Sequence, residues 1–78
     1  MSPRLPRVTA KQLIRALTRA GFVLGHKGST SHRFYVHSED RSRYAVVPVH
    51  GKDIIPVGTL AEILRTAKIT PDELRDLL

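Results

Sequence analysis

The sequence predicts an α+β fold in the order helix, three strands, helix, closed by a short C-terminal helix. Three observations carry this. Apolar residues recur at helical spacing between Thr9 and Gly21. Three short runs rich in β-branched and aromatic residues follow between Phe22 and Pro48, separated by polar connections. Helical spacing then returns beyond Gly58 behind two cap signatures. The connections between the strands are too short for parallel crossovers, so the strands form a three-stranded antiparallel meander. Each helix has one apolar stripe to bury, which places the helices on one face of the sheet and leaves the other face open.

Residues 1–8, with Pro3, Pro6 and two arginines, read as an extended, poorly ordered and flexible arm to a single domain spanning residues 1–78. Thr9 is the N-cap of a helix running to about Ala20, with Gly21 as its stop. Ala10, Leu13, Ile14, Leu17 and Ala20 form its buried stripe, and Lys11, Arg15 and Arg19 a basic ridge on about the opposite side. Phe22-Val23-Leu24 is a first strand, and Gly25 to Thr30 turns the chain into a second over Ser31 to Val36. Ser38 to Ser42 is a hairpin connection. Tyr44 to Val47 is the third strand, where Pro48 ends the ladder or marks an edge. A loop over 50–57 leads to Thr59-Leu60-Ala61-Glu62, a capping-box pattern for a helix that buries Leu60, Ile63, Leu64 and Ala67. Thr70-Pro71-Asp72-Glu73 repeats the signal for a last helix that buries Leu74, Leu77 and Leu78. This element order is the one used by double-stranded-RNA-binding domains.

Charge is distributed unevenly. The net charge is +6, yet residues 1–38 hold seven Lys or Arg and no acid, while from Glu39 onward six basic residues face seven acidic ones. The excess positive charge therefore belongs to the N-terminal half and points to a polyanionic partner, nucleic acid first among them. The absence of cysteine excludes disulfides and thiolate zinc sites and fits a cytoplasmic protein. No apolar run of signal-peptide or membrane-spanning length is present, so no membrane is expected as a partner.

The stretch most loaded with chemistry is Lys27-Gly28-Ser29-Thr30-Ser31-His32-Arg33-Phe34-Tyr35. It sets a histidine, the one side chain able to take and give a proton near neutrality without perturbation, at a loop-to-strand junction among hydroxyls and cations. A strand-end histidine with one backbone hydrogen bond is the plainer interpretation of the same residues. Alternation places His32 with Phe34 and Val36 on one sheet face and Arg33 with Tyr35 and His37 on the other; which set meets the helices is open, because both contain an aromatic ring. His26, His37 and His50 are secondary candidates. No metal or other cofactor is expected: the four histidines show no i, i+4 pair and no carboxylate at ligand spacing.

With these elements in order, the sequence resembles the HicA family of toxins from type II toxin–antitoxin systems, small ribonucleases described as mRNA interferases. The resemblance covers nearly the whole chain. It rests on Lys11 to Leu17 leading to Ala20-Gly21-Phe22, on Lys27-Gly28-Ser29 with Ser31-His32 and Tyr35, on Val46 to His50, on Gly58-Thr59-Leu60 with Ile63-Leu64, and on Ala67 to Thr70. The family's glycine-serine-histidine run is altered here: Thr30 precedes Ser31-His32, and Gly28-Ser29 lies two residues earlier. The resemblance implies a double-stranded-RNA-binding-like fold, metal-independent cleavage of mRNA with His32 as the catalytic residue, and neutralisation by a HicB-type antitoxin that covers the active site. Such cleavage needs a base for the 2′-OH proton, positive charge beside the phosphorane and an acid for the leaving oxygen. His32 is the expected acid–base group, Lys27 and Arg33 the charge-balancing residues, and the Gly28 and Ser29 amides oxyanion donors, with Ser31 and Lys52 as further RNA contacts. Tyr35 and Phe34 could stack on bases if their face is open, a second histidine could share the proton work, and Lys11, Arg15 and Arg19 could follow a phosphate backbone or dock an acidic antitoxin. The expected substrate is single-stranded or structured RNA. Two other functions fit the same residues, a non-catalytic RNA-binding module of this fold and a basic protein-interaction domain.

Overall fold

Thr9 opens the first helix by reciprocal capping. Its hydroxyl accepts from the Gln12 amide at 3.2 Å, and the Gln12 side chain accepts from the Thr9 amide at 2.9 Å. In the computed structural model, which describes residues 4–29, 31–49 and 53–78, this helix is α1 (Ala10–Arg19). Gln12 thus completes a capping box that Thr9 alone announces in the sequence. The helix ends on Ala20, and Gly21 takes φ +100°, a backbone conformation costly for any residue with a Cβ. There the chain reverses into the sheet.

The sheet order is β1 (Phe22–Ser29), β2 (His32–His37), β3 (Tyr44–Pro48), antiparallel throughout. The predicted turn over Gly25 to Thr30 is corrected: the strand continues through Ser29, and the register slips by one residue at Gly25 and again at Gly28, so that two β-bulges absorb the glycines. Thr30 lies outside the described residues. Pro48 is the last residue of β3, which is an edge strand, as a residue without an N–H requires.

α2 (Val57–Ala67) begins two residues before the predicted cap. Pro56 is its N-cap, and the Pro56 carbonyl accepts from the Leu60 amide at 2.9 Å, which leaves Thr59 inside the first turn and unable to act as a cap. Glu62 pairs instead with Arg65 one turn on. The left-handed Lys68 ends α2, and Arg43 satisfies its terminal carbonyl by donating Nε–H to Ala67 O at 2.9 Å, with its guanidinium over the Phe22 ring. Thr70 caps α3 (Pro71–Leu77) as predicted, in reciprocal bonds with Glu73.

Both long helices lie on one face of the sheet. Phe22, Tyr35, Ala45 and Val47 from that face join Leu13, Leu17, Leu60, Ile63, Leu64 and Leu74 in one core. Ala16 joins them, whereas Ile14, Ala20 and Leu77 are half-buried and Leu78 is exposed, which narrows the predicted stripes. The N-terminal segment is also corrected. Val8 is 1% exposed, Leu5 packs on the core, and the Ile55 amide donates to Val8 O at 2.8 Å, so the fold starts before the first helix. Of the apolar pair in the following loop, Ile55 points inward and Ile54 outward.

Two stability outcomes are expected. Val8→Ala should cost about 1–3 kcal/mol in urea unfolding, the loss for a buried branched side chain. The Thr70 amide, and secondarily its hydroxyl, hold the Glu73 carboxyl below its ordinary value of 4.5. A depressed folded-state pKa stabilises at pH values above the unfolded value and is lost as pH falls through the folded one. Glu73→Gln should therefore flatten the acid limb of a melting-temperature profile below about pH 5, with the neutral limb lowered towards it.

Candidate functional site

Ser29 pairs with His32, so residues 30 and 31 alone connect β1 to β2, and His32 is the first residue of the central strand. On its other side His32 pairs with Pro48, and the Val49 amide donates to Ser31 O at 2.6 Å. The backbone carrying the imidazole is thus held from both flanks. The ring itself is exposed, with its Nδ1 3.2 Å from the Ser31 hydroxyl, close enough to orient it.

The ends of the helices add to this position. Thr9 bridges to Ile54 just before α2, so both long helices start at the His32 end of the sheet. From there α1 leads to Gly21, where β1 begins, and α2 leads to Lys68, whose ammonium reaches Ser42 Oγ at 3.2 Å in the β2–β3 connection. The partial positive charges of two helix N-termini therefore lie at this end, and neither first turn carries an acid.

Register settles the faces. Tyr35 is opposite Ala45 and Arg33 opposite Val47, both fully buried, so Arg33, Tyr35 and His37 belong to the helix side. His32, Phe34 and Val36 belong to the open side. Tyr35 is 5% exposed and part of the core, which removes it from any base-stacking surface. Arg33 is half-buried on the face away from His32.

The predicted residues are brought together only in part. Lys27, Gly28 and Ser29 lie in β1 at the same end, with Lys27 opposite Arg33 and Gly28 as the bulged residue between two pairs. His50 and Lys52 lie outside the described residues. His37 is at the far end of the sheet, opposite Phe22. Its Nδ1 accepts from the Glu39 amide at 3.1 Å, which leaves Nε2 to donate to Ala20 O at 3.1 Å. Its ring meets Phe22 edge-on, and a Cβ at Gly21 would stand 3.1 Å from Nε2. This histidine is a tie between α1 and the sheet. Lys11 and Arg15 are exposed on the outer side of α1, across the molecule from the open sheet face, while Arg19 donates to Leu77 O at 2.6 Å and so anchors α3.

The open face holds a grouping that the sequence did not assemble, although His26 and Phe34 are candidates in it and only Tyr44 is not. His26, Phe34 and Tyr44 form a near-parallel ring ladder across all three strands, with centroids 5.2 and 5.9 Å apart and planes inclined by 26° and 20°. The signal was available: a bulge at Gly25 brings His26 opposite Phe34, which a turn at that glycine hides. The carboxylates with displaced titration, Asp40 through Ser42, Glu62 through Arg65 and Glu73 through Thr70, all lie away from the hairpin tip and have structural causes. Among the described residues no group of three or more His, Cys, Asp or Glu is gathered as a metal site would require.

Helices on one face of a three-stranded meander, with an exposed histidine at the β1–β2 tip, define a small α+β protein with the element order of double-stranded-RNA-binding domains. Residues 10–69 match the family described as the HicA toxin of bacterial toxin–antitoxin systems, and the chain belongs to that family. It is therefore a toxin component of such a system. Among curated proteins none matches the chain significantly.

If His37 is a structural tie, His37→Ala should lower stability by about 1–2 kcal/mol, two lost hydrogen bonds with partial recovery by water. Activity per folded molecule should hold at a temperature where both proteins remain folded, as checked by parallel melting and toxicity assays.

Proposed function

We propose that this toxin is a metal-independent endoribonuclease that cleaves mRNA in the cytoplasm, with His32 as its acid–base group, and that a HicB-type antitoxin holds it inactive. The observation that carries this reading is the placement of one solvated imidazole on a doubly paired backbone at the positively charged end of the fold. Family membership supplies the toxin class, and the N-terminal half without a carboxylate supplies the attraction for RNA.

In this mechanism the imidazole takes the proton from the ribose 2′-OH as that oxygen attacks the adjacent phosphorus. Returned to the leaving 5′ oxygen, the same proton completes the exchange, and the product carries a 2′,3′-cyclic phosphate. The Ser31 hydroxyl at Nδ1 is a positioning group for the ring. Lys27 and Arg33 contribute positive potential from the strand ends, and the bulge at Gly28 is the place for backbone amides to face the phosphorane. Lys52 and His50 are further RNA contacts on the sequence alone. Lys11 and Arg15 offer the antitoxin an acid-binding ridge on the outer helix.

The test is incubation of labelled RNA with the pure protein in EDTA. Cleavage giving cyclic-phosphate ends is expected, and His32→Ala should reduce it by roughly 10²–10⁴-fold with the melting temperature retained. Equal cleavage by the variant would remove His32 from the chemistry, and tight binding without cleavage by the unsubstituted chain would make the protein a binding module.

A further inference from the structure

We propose that the open sheet face is a base-stacking platform for single-stranded RNA, with His26, Phe34 and Tyr44 as its rings. The proposal rests on the RNA reading above and deepens it, because it names which form of RNA the site takes and how the strand is led past His32.

Three observations point to nucleobases. The first is the ladder itself, whose neighbouring rings are inclined by only 26° and 20° across β1, β2 and β3, so that a planar base can continue the series. A purely structural cluster would be expected to bury these rings. Here His26 and Tyr44 are exposed and Phe34 is only half-buried. The second is that Phe34 is given its place by the backbone. A Cβ at Gly25 would lie 2.9 Å from Phe34 Cδ1, so the glycine bulge lets the ring lie over β1 towards His26.

The third is charge. The strands Phe22–Ser29, His32–His37 and Tyr44–Pro48 contain no Asp or Glu, and the open face carries the imidazoles of His26 and His32, Arg33 and His37 belonging to the helix side. Glu62, which lines the groove beside Tyr44 and Val46, is neutralised by Arg65 through both carboxylate oxygens. A face that is aromatic and free of carboxylates suits a ligand combining flat apolar groups with negative charge. Duplex RNA does not present its bases in this way, since they are already stacked and paired, whereas a single strand does. His32 lies two residues before Phe34 on the same face, about 7 Å along the strand, so a chain stacked on the ladder brings a neighbouring phosphodiester to the imidazole.

The experiment uses His32→Ala protein, which leaves RNA uncut, and three labelled probes of equal length: a single-stranded RNA, the same sequence as a duplex, and an abasic ribose-phosphate oligomer. Anisotropy should show the single strand bound at least about tenfold more tightly than either other probe. Tyr44→Leu should lower single-strand affinity about tenfold with abasic binding unchanged, and Tyr44→Trp should hold or tighten it. Gly25→Ala, which displaces the Phe34 ring, should weaken the single strand alone, and unchanged melting of Tyr44→Leu keeps the result interpretable if the Gly25 variant is destabilised. Equal binding of all three probes, or normal single-strand binding by Tyr44→Leu, overturns the platform while leaving cleavage by the unsubstituted protein untouched. Ring-dependent binding with no cleavage by the unsubstituted protein keeps the platform and overturns the nuclease reading, and no binding of any probe overturns the platform.

Discussion

Tyr35, Ala45 and Val47 press one face of the sheet against Leu13, Leu17 and Leu60 of the two long helices, and nothing in the described chain covers the other face. Because strand side chains alternate, this one-sided burial assigns every neighbouring residue to solvent. His32 is accessible because Arg33 and Tyr35 are committed to the helix side. The ring ladder is accessible for the same reason, since Phe34, Tyr44 and His26 occupy the alternate positions. The exposed chemistry of this protein is thus a consequence of where its core lies.

Element order and most core residues were legible in the sequence, because they depend on local rules. Thr9 and Thr70 cap their helices, Pro48 ends an edge strand, and the stripe of α2 is buried as its spacing requires. What misled was local chemistry overruled by tertiary pairing. Gly25 and Gly28 carry a turn signature, yet cross-strand pairing with β2 holds them as bulges, and the strand runs for eight residues where three were expected. Thr59 and Glu62 have capping spacing, but the Pro56 carbonyl had already started the helix. Val8 is hidden among Pro and Arg, and only its pairing with Ile55 reveals it as core. The choice between Phe34 and Tyr35 as the outward ring could not be made from β2 alone; it is made on β3, where Ala45 and Val47 are small enough to sit beneath the helices.

The histidines illustrate how little residue type says without environment. His37 has both ring nitrogens engaged with backbone groups and an edge on Phe22, so its proton position is fixed by the fold. His26 is a stacking partner on an edge strand. Among the described histidines, His32 alone combines exposure with a hydroxyl at Nδ1 and a place at the end of the fold where the two long helices start. The polar ties of the structure follow the same division: Arg43 on Ala67, Arg19 on Leu77 and Lys68 on Ser42 secure the end of the fold remote from His32.

An acid–base group must satisfy two demands that usually conflict, a fixed position and a hydrated ring. A loop supplies hydration without fixity, and a core position supplies the reverse. The first residue of a central strand reconciles them, because its backbone is bonded to neighbours on both sides while its side chain projects beyond the packed layer. His32 has this arrangement through Ser29 and Pro48, reinforced by the 2.6 Å bond from Val49 to Ser31 O. The pairing of Ser29 with His32 closes the hairpin at that register and so sets the imidazole at the strand's start.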